Sequence, residues 1–348
     1  VKALQPNRIP VGYFIMKQVK QITLAARPSG LPDASIFRID TVVLPDAKEG
    51  ELQLKGLYYS VDPYMRGRMN DAKSYVPPFQ IDQALEGGVV AEVTTSRAAD
   101  FSPGDIVIGP YLPWRTEMTV PAGTVKKIDA SIAPPSYYLG VLGMTGLTAY
   151  IGLMDIGKPK AGETVVVSGA AGAVGSVVGQ IARHLGCRAV GIAGSADKVK
   201  LLTEEFGFDA AINYNEPGLD DRLSTACPDG VDIYFDNVGG TVSDAVMKQL
   251  NFFARVPLCG QISYYNATEV PTGPRWQGLM VTRSILMQGF IIRNYASRFR
   301  EGIEFLAPLV KAGKIKSEET IAEGFEKLPE ALLGLFSGKN KGKMIVKA

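Results

Sequence analysis

The chain has 348 residues, 46% hydrophobic and 21% charged, which excludes disorder as the dominant state and leaves length for about two domains. Lys and Arg total 37 against 35 Asp and Glu, a net charge of +2, so the chain offers no global field for nucleic acid or an anionic membrane. No apolar run reaches the roughly 18 residues of a membrane span.

From the N-terminus, VKALQPNRIP holds no apolar signal core after Lys2, and Val1 in place of an initiator Met reads as trimming or an edited start. Residues 1–140 then read as β-rich. The runs RIDTVVLP, GELQLKGLYYSV, GGVVAEVTTS, GDIVIGP and TEMTVP are rich in Val, Ile, Thr and Tyr, and Gly, Pro and Asp punctuate them. That pattern suits a barrel-like or sandwich-like unit.

Near residue 140 the texture changes to strands alternating with helices. GETVVVSGA is a strand with its turn, and AVGSVVGQIARHLG is an amphipathic helix closed by Gly186. CRAVGIAG is a second strand. SADKVKLLTEEFG is a helix capped by Ser195 and ended by Gly207. AAINY, VDIYFDNVG, ARVPLCGQIS and ILMQGFII add strands, with DAVMKQLNFF as a helix among them. RFREGIEFLAPLVKAG is a further helix, and GKMIVKA closes the chain as a strand. The alternation predicts an α/β, doubly wound parallel sheet.

The segment Thr164–Gly175, TVVVSGAAGAVG, carries the strongest functional signal. Gly169, Ala170, Ala171, Gly172, Ala173, Val174 and Gly175 lie between a buried strand and a helix, a variant of the dinucleotide fingerprint. Gly172 lets backbone approach a pyrophosphate, Gly175 lets the helix pack on the strand, and the free N–H groups of the helix start hold phosphate. The bland alternative is a tight strand-to-helix turn with no ligand. An NAD site places an acid about 20 residues on, but this chain has Gly191-Ile-Ala-Gly194-Ser195 there, followed by Lys198. An acid-free strand end with Ser195 and Lys198 as donors suits NADP. Ser195 as a simple cap and Lys198 as a solvated cation are the alternative, and Lys200 and Arg188 are further basic residues nearby.

The chain has one histidine, His184, and three scattered cysteines, Cys187, Cys227 and Cys259. An odd, dispersed set argues against a disulfide scaffold and for a reducing cytoplasm. A four-cysteine zinc site is excluded and a catalytic zinc site is disfavoured, so no metal is expected.

Val61-Asp-Pro-Tyr-Met-Arg-Gly67, Gly143-Met-Thr-Gly-Leu-Thr-Ala-Tyr150, the AAGAVG loop, Asp232-Ile-Tyr-Phe-Asp-Asn-Val-Gly-Gly240, Cys259-Gly-Gln-Ile-Ser-Tyr-Tyr-Asn266 and Gly338-Lys-Asn-Lys-Gly-Lys-Met-Ile-Val-Lys347 together resemble the zinc-independent medium-chain dehydrogenase/reductases. The branch they resemble contains prostaglandin, alkenal double-bond and curcumin reductases. The resemblance implies a GroES-like β domain (1–139 and 319–348) and an inserted Rossmann domain (140–318) with the site in the cleft. It implies a homodimer, and NADPH-dependent reduction of the carbon–carbon double bond of enals and enones. A quinone reductase, or an NADPH-binding structural protein with little turnover, shares the fold.

Matched position by position, the resemblance assigns Lys198 and Tyr214 to the 2′-phosphate and Asn237, Thr145, Thr148, Phe290, Ile292 and Asn340 to the cofactor. The acid-free strand end places Gly194 and Ser195 at the cofactor. The resemblance places Tyr64 and Tyr265 in the substrate pocket, and the Tyr265 hydroxyl and the nicotinamide-ribose hydroxyl of the cofactor are the candidate donors to the enolate oxygen. Met144-Thr145 departs from the Met-Pro of many relatives. Each assignment has a plain rival: Tyr265 and Tyr64 as packed aromatics, Tyr214 as an edge aromatic, Asn237 as a turn former. Asn340 lies among Lys339, Lys341 and Lys343, a charge run that reads as a solvated turn. Arg66 and Arg68 are expected to pair with nearby acids, His184 to lie on the surface, and Cys259 to be a small buried residue. The loops near 70–80 and 266–280 are expected to shape substrate choice.

Overall fold

β1 (Gln18–Leu24) and β2 (Phe37–Val43) pair antiparallel, with Gln18 opposite Val43 and Leu24 opposite Phe37, in a computed structural model that describes residues 17–348. The N-terminal stretch VKALQPNRIP lies outside the described residues. β3 (Glu51–Ser60), β4 (Glu86–Ser96), β5 (Ile106–Pro113), β6 (Glu117–Pro121) and β7 (Lys126–Lys127) form an antiparallel unit. Alternate residues of β3 and β4 face one core, where Leu52, Leu54, Tyr59, Val89, Val93 and Trp114 are buried. The short helix α1 (Met65–Arg68) leaves β3 through Asp62 and Pro63 and buries Met65 in that core.

The parallel half begins with α2 (Met144–Ile151). Then come β8 (Thr164–Ser168), α3 (Gly175–His184), β9 (Arg188–Ala193), α4 (Ala196–Lys200), β10 (Ala210–Asn213), α5 (Leu219–Ala226), β11 (Val231–Phe235), α6 (Gly240–Met247), β12 (Leu250–Leu258), α7 (Gln277–Arg283), β13 (Leu286–Gly289) and α8 (Phe299–Lys311). All pairings in this sheet are parallel, in the order β10-β9-β8-β11-β12-β13. β8 is buried along its whole length, as a central strand covered by helices on both faces must be. The order reverses between β8 and β11, and the crevice beyond the carboxyl ends of strands at such a switch point is where ligands bind. β14 (Glu319–Glu323), α9 (Leu328–Phe336) and β15 (Lys343–Lys347) return the chain to the first unit, where β15 pairs with β3.

Three local expectations are corrected. Residues 250–253 are strand, not helix: α6 ends at Met247 and β12 opens at Leu250. A register shift against β11 and a φ of 59° at Phe253 mark a bulge there, so sheet pairing overrides the helical pattern of the sequence. The strand read through ILMQGFII covers only Leu286–Gly289, and Ile292–Arg298 winds into a 3₁₀ segment. The helix after Ser195 keeps α-geometry only to Lys200 and widens into a π-turn over Leu201–Glu205.

Candidate active site

Between the two units lies a cavity of about 610 Å³, within the range of small-molecule and cofactor sites. The glycine loop after β8 forms one wall. Gly169 has φ 58°, and a Cβ on Gly175 would lie 2.5 Å from the Gly169 carbonyl oxygen. Glycine at 175 is therefore what lets α3 start close against the loop. The C-terminal tail clasps the same loop: Gly342 N–H donates to Ala171 O at 2.7 Å, and Asn340 Nδ2 donates to Gly342 O at 2.9 Å.

At the far end of the cavity, Ser195 caps α4, its hydroxyl accepting from Lys198 N–H at 3.4 Å. Lys198 Nζ donates to Gly338 O of the tail at 2.9 Å. It makes no ion pair among the described residues, whereas its neighbour Lys341 contacts Asp197 at 3.6 Å. Burial, and then Lys341, lower the Lys198 pKa below the ordinary lysine value. A cation whose charged form is disfavoured and lacks an anion is suited to receive a phosphate. Tyr214 flanks it, with its hydroxyl 2.9 Å from where a Gly194 Cβ would stand.

The middle of the cavity is organised by Asp236, which has no solvent exposure. Its Oδ1 accepts from Ser168 Oγ (2.9 Å), Tyr234 OH (2.8 Å), Val238 N–H (2.9 Å) and Gly239 N–H (3.0 Å). Asn237 Nδ2 donates to Ser168 O at 2.8 Å, so the ends of β8 and β11 are stitched together at the switch point. Phe290 packs edge-on to Phe235 and Tyr295. The Thr148 hydroxyl donates to Met144 O at 2.7 Å. The Thr145 hydroxyl is buried with no partner among the described residues.

Four tyrosines, Tyr64, Tyr75, Tyr111 and Tyr265, wall the other end. The Tyr64 hydroxyl is buried without a partner among the described residues. Burial first, and then Asp62 and Tyr111, raise its pKa. Burial, with Tyr265 and Tyr111 next, pushes Tyr75 up to about 12. Burial also raises Tyr265. All three hydroxyls therefore keep their protons at neutral pH and are available as donors. Cys259 lines the same wall. Burial and then Asp236 push its thiol up to about 12, which makes it a poor nucleophile.

Every residue predicted for the site lines this cavity except Ala170. Ala170 is fully buried in the parallel-sheet core, and only its backbone shapes the loop, donating to Ile192 O at 3.0 Å. Sequence reading missed Tyr111 and Lys343, and named Tyr75 only as part of a loop. Lys343, read as part of a solvated charge run, is instead 3% exposed. Its Nζ donates to Asp62 Oδ1 at 3.1 Å, to Val61 O at 2.8 Å and to Met344 O at 3.0 Å. It locks the tail under the Asp62–Tyr64 turn. Arg68 does pair with an acid, Glu86, at 3.0 Å, but Arg66 pairs with none among the described residues. His184 is exposed on α3.

Family models match this chain over residues 20–128, described as the N-terminal domain of oxidoreductase, and over residues 173–308, described as zinc-binding dehydrogenase. Among the described residues, no group of three or more His, Cys, Asp and Glu is placed to hold a metal ion. The NADPH-dependent curcumin reductase of Escherichia coli is 45% identical over 93% of this chain and 95% of its own length. The NADP(+)-dependent 2-alkenal reductase of Nicotiana tabacum is 43% identical over 94% of this chain and 96% of its own. The crystal structure of CurA from Vibrio vulnificus in complex with NADPH superposes with a TM-score of 0.90 at 44% identity, covering 94% of this chain and 99% of that one. With two full-length relatives above 40% identity and a shared fold, the chain belongs to the zinc-independent medium-chain dehydrogenase/reductases, in the branch of the curcumin, alkenal and prostaglandin reductases.

Proposed function

We propose that the protein is an NADPH-dependent reductase of the carbon–carbon double bond of α,β-unsaturated aldehydes and ketones. The observation that carries this reading is one continuous cavity with a phosphate-ready end at Lys198 and Ser195 and a tyrosine-walled end at Tyr64 and Tyr265. The unpartnered Thr145 and Tyr64 hydroxyls and the glycine cradle support a polar ligand between those ends. The cofactor would be held by the loop 169–175, Ser195, Lys198, Tyr214, Asn237, Thr145 and Asn340. When bound, it supplies a hydride to the substrate β-carbon.

The chain's own residues then have separable tasks. Tyr265 donates a hydrogen bond to the substrate carbonyl oxygen, where negative charge collects as the enolate forms. Its raised pKa keeps that proton in place until it is needed. Tyr64 and Tyr75 orient the substrate, and the apolar wall of Phe290 and Ile292 excludes water. The α-carbon is protonated by Tyr265 or by water.

The test is NADPH oxidation followed with a panel of 2-alkenals, simple enones and quinones, scored by kcat/KM. Enals or enones are expected to exceed quinones by at least about tenfold, roughly 1.4 kcal/mol in transition-state binding. Preference for quinones would overturn the substrate class. Tight NADPH binding with no turnover on any of them would overturn enzymatic activity.

We further propose the boundaries 1–139 with 319–348, and 140–318. In support, Leu139 packs with Val90 and Ile345, whereas Val141 and Leu142 pack with the parallel-sheet core. Among the described residues no helix is long and apolar enough to cross a membrane, and Cys187, Cys227 and Cys259 are all free, which suits a cytoplasmic location. We also propose a homodimer through the outer edge of β13. That strand pairs only with β12 among the described residues, and the nearby Phe253 and Val281 are 71% and 79% exposed. Apolar surface beside an open strand edge favours a second copy. Light scattering is expected to give twice the chain mass, and Phe253→Asp with Val281→Asp to give the monomer. A monomeric wild-type protein would rule the dimer out.

A further inference from the structure

Arg66 lies on α1, two residues beyond Tyr64, and is 3% exposed. Its Nε donates to Asn266 Oδ1 at 2.9 Å, its Nη1 to Asn70 Oδ1 at 2.7 Å, and its Nη2 to Gly30 O at 2.8 Å. None of these acceptors carries charge, and Arg66 makes no ion pair among the described residues. Burying a guanidinium without a carboxylate is costly, and here three neutral acceptors from three segments offset that cost. One is the end of α1. The second is the Gly30 turn, where a Cβ would lie 3.3 Å from Thr268 Cγ2. The third is the loop that begins directly after Tyr265.

The bond to Asn266 spans 200 residues and joins the two halves of the cleft. On one side it is anchored beside Tyr64, on the other beside Tyr265. A planar fork with five N–H donors suits this triple junction, and a lysine, as a point charge, does not reproduce it. We propose that Arg66 is a positioning residue that, through Asn266, holds the Tyr265 hydroxyl opposite Tyr64 and so sets the geometry in which the substrate carbonyl is gripped. The proposal rests on the reading of Tyr265 as the carbonyl donor. A misplacement of about 1 Å at such a group costs up to about 10²-fold in rate.

The experiment measures kcat, enone KM and NADPH Kd for Asn266→Ala, Asn266→Asp and Arg66→Lys, each alone and combined with Tyr265→Phe. Asn266→Ala and Arg66→Lys are expected to lower kcat by about tenfold or more while NADPH Kd, read by fluorescence titration, stays within about twofold. Asn266→Asp, whose carboxylate accepts the same bond, is expected to keep kcat within about threefold. In the Tyr265→Phe background, Asn266→Ala is expected to add less than about twofold, because the residue it positions is already gone. A silent Asn266→Ala, a loss that multiplies in full onto Tyr265→Phe, or failure of Asn266→Asp to retain activity would each overturn the proposal with the donor reading intact. A silent Tyr265→Phe would remove the donor reading, and this proposal with it. Should Arg66→Lys fold poorly, the Asn266 variants carry the test.

Discussion

Tyr265→Phe is expected to lower kcat by about 10²–10³-fold while NADPH Kd stays within about twofold, the loss typical of removing one donor to a developing oxyanion. The substitution keeps the ring that fills the wall between Cys259 and Tyr75 and deletes one hydroxyl. Burial raises the Tyr265 pKa, so the hydroxyl is a proton-bearing donor over the whole neutral range. Its loss of function on deprotonation is displaced above the ordinary tyrosine value of about 10. The kcat of the wild type should therefore stay level from about pH 6 to about pH 9 as far as this group is concerned. Tyr64→Phe supplies the internal comparison. That hydroxyl is buried with no partner among the described residues, so deleting it should not lower thermal stability, because it removes an unsatisfied polar group. Any kcat loss in Tyr64→Phe then reports substrate orientation and not damage to the fold. Stopped-flow single turnovers would read both. An unchanged chemical step in Tyr265→Phe would take Tyr265 out of the reaction.

Which parts of this site were legible in the sequence follows from how local their causes are. The glycine loop was legible because a strand, a close-packed turn and a helix start impose size limits on consecutive residues, such as the 2.5 Å that a Gly175 Cβ would have to the Gly169 oxygen. The parallel, doubly wound character of the sheet followed from the strand–helix alternation, whereas the strand order came only with the fold. By contrast, Lys343 lies in a run that also holds Lys339 and Lys341. Only the return of β15 beside β3 brings its ammonium to Asp62, 281 residues away. No local pattern separates that buried lysine from its solvated neighbours. Arg66 misled for a related reason: its acceptors are amide and backbone oxygens on distant segments, so a search for nearby acids finds Glu86 for Arg68 and nothing for Arg66. Residues 250–253 carry both helical spacing and strand-favouring aromatics, and the pairing of Leu250 with Val231 and of Arg255 with Ile233, on either side of the bulge, decided between them. The aromatic wall shows the limit from the other side. Tyr75 and Tyr111 sit on a loop and an outer strand whose patterns do not distinguish a cavity lining from a surface.

Lys198→Ala is expected to weaken NADPH binding by about 10–150-fold and to leave NADH binding within about twofold, since a hydrogen bond to a charged group contributes about 1.5–3 kcal/mol. The end of β9 carries no acid to repel the 2′-phosphate. Lys198 already points its ammonium at Gly338 O, with no counter-ion among the described residues. The pH dependence gives an independent check. Burial and Lys341 lower the Lys198 pKa in the free protein, and a bound phosphate raises it again. Below the lowered value the ammonium is charged in both states, and its contribution to affinity is complete. As pH rises through that value toward the bound-state pKa, binding must take up a proton, and NADPH affinity falls while NADH affinity does not. Calorimetry from about pH 7 to about pH 10 in two buffers of different ionisation enthalpy would show that proton uptake for NADPH alone. Lys198→Arg should retain most of the NADPH affinity and lose the pH dependence, because a guanidinium stays charged throughout that range. Equal losses for the two coenzymes in Lys198→Ala, or an affinity for NADPH that is level to about pH 10 in the wild type, would place the 2′-phosphate elsewhere.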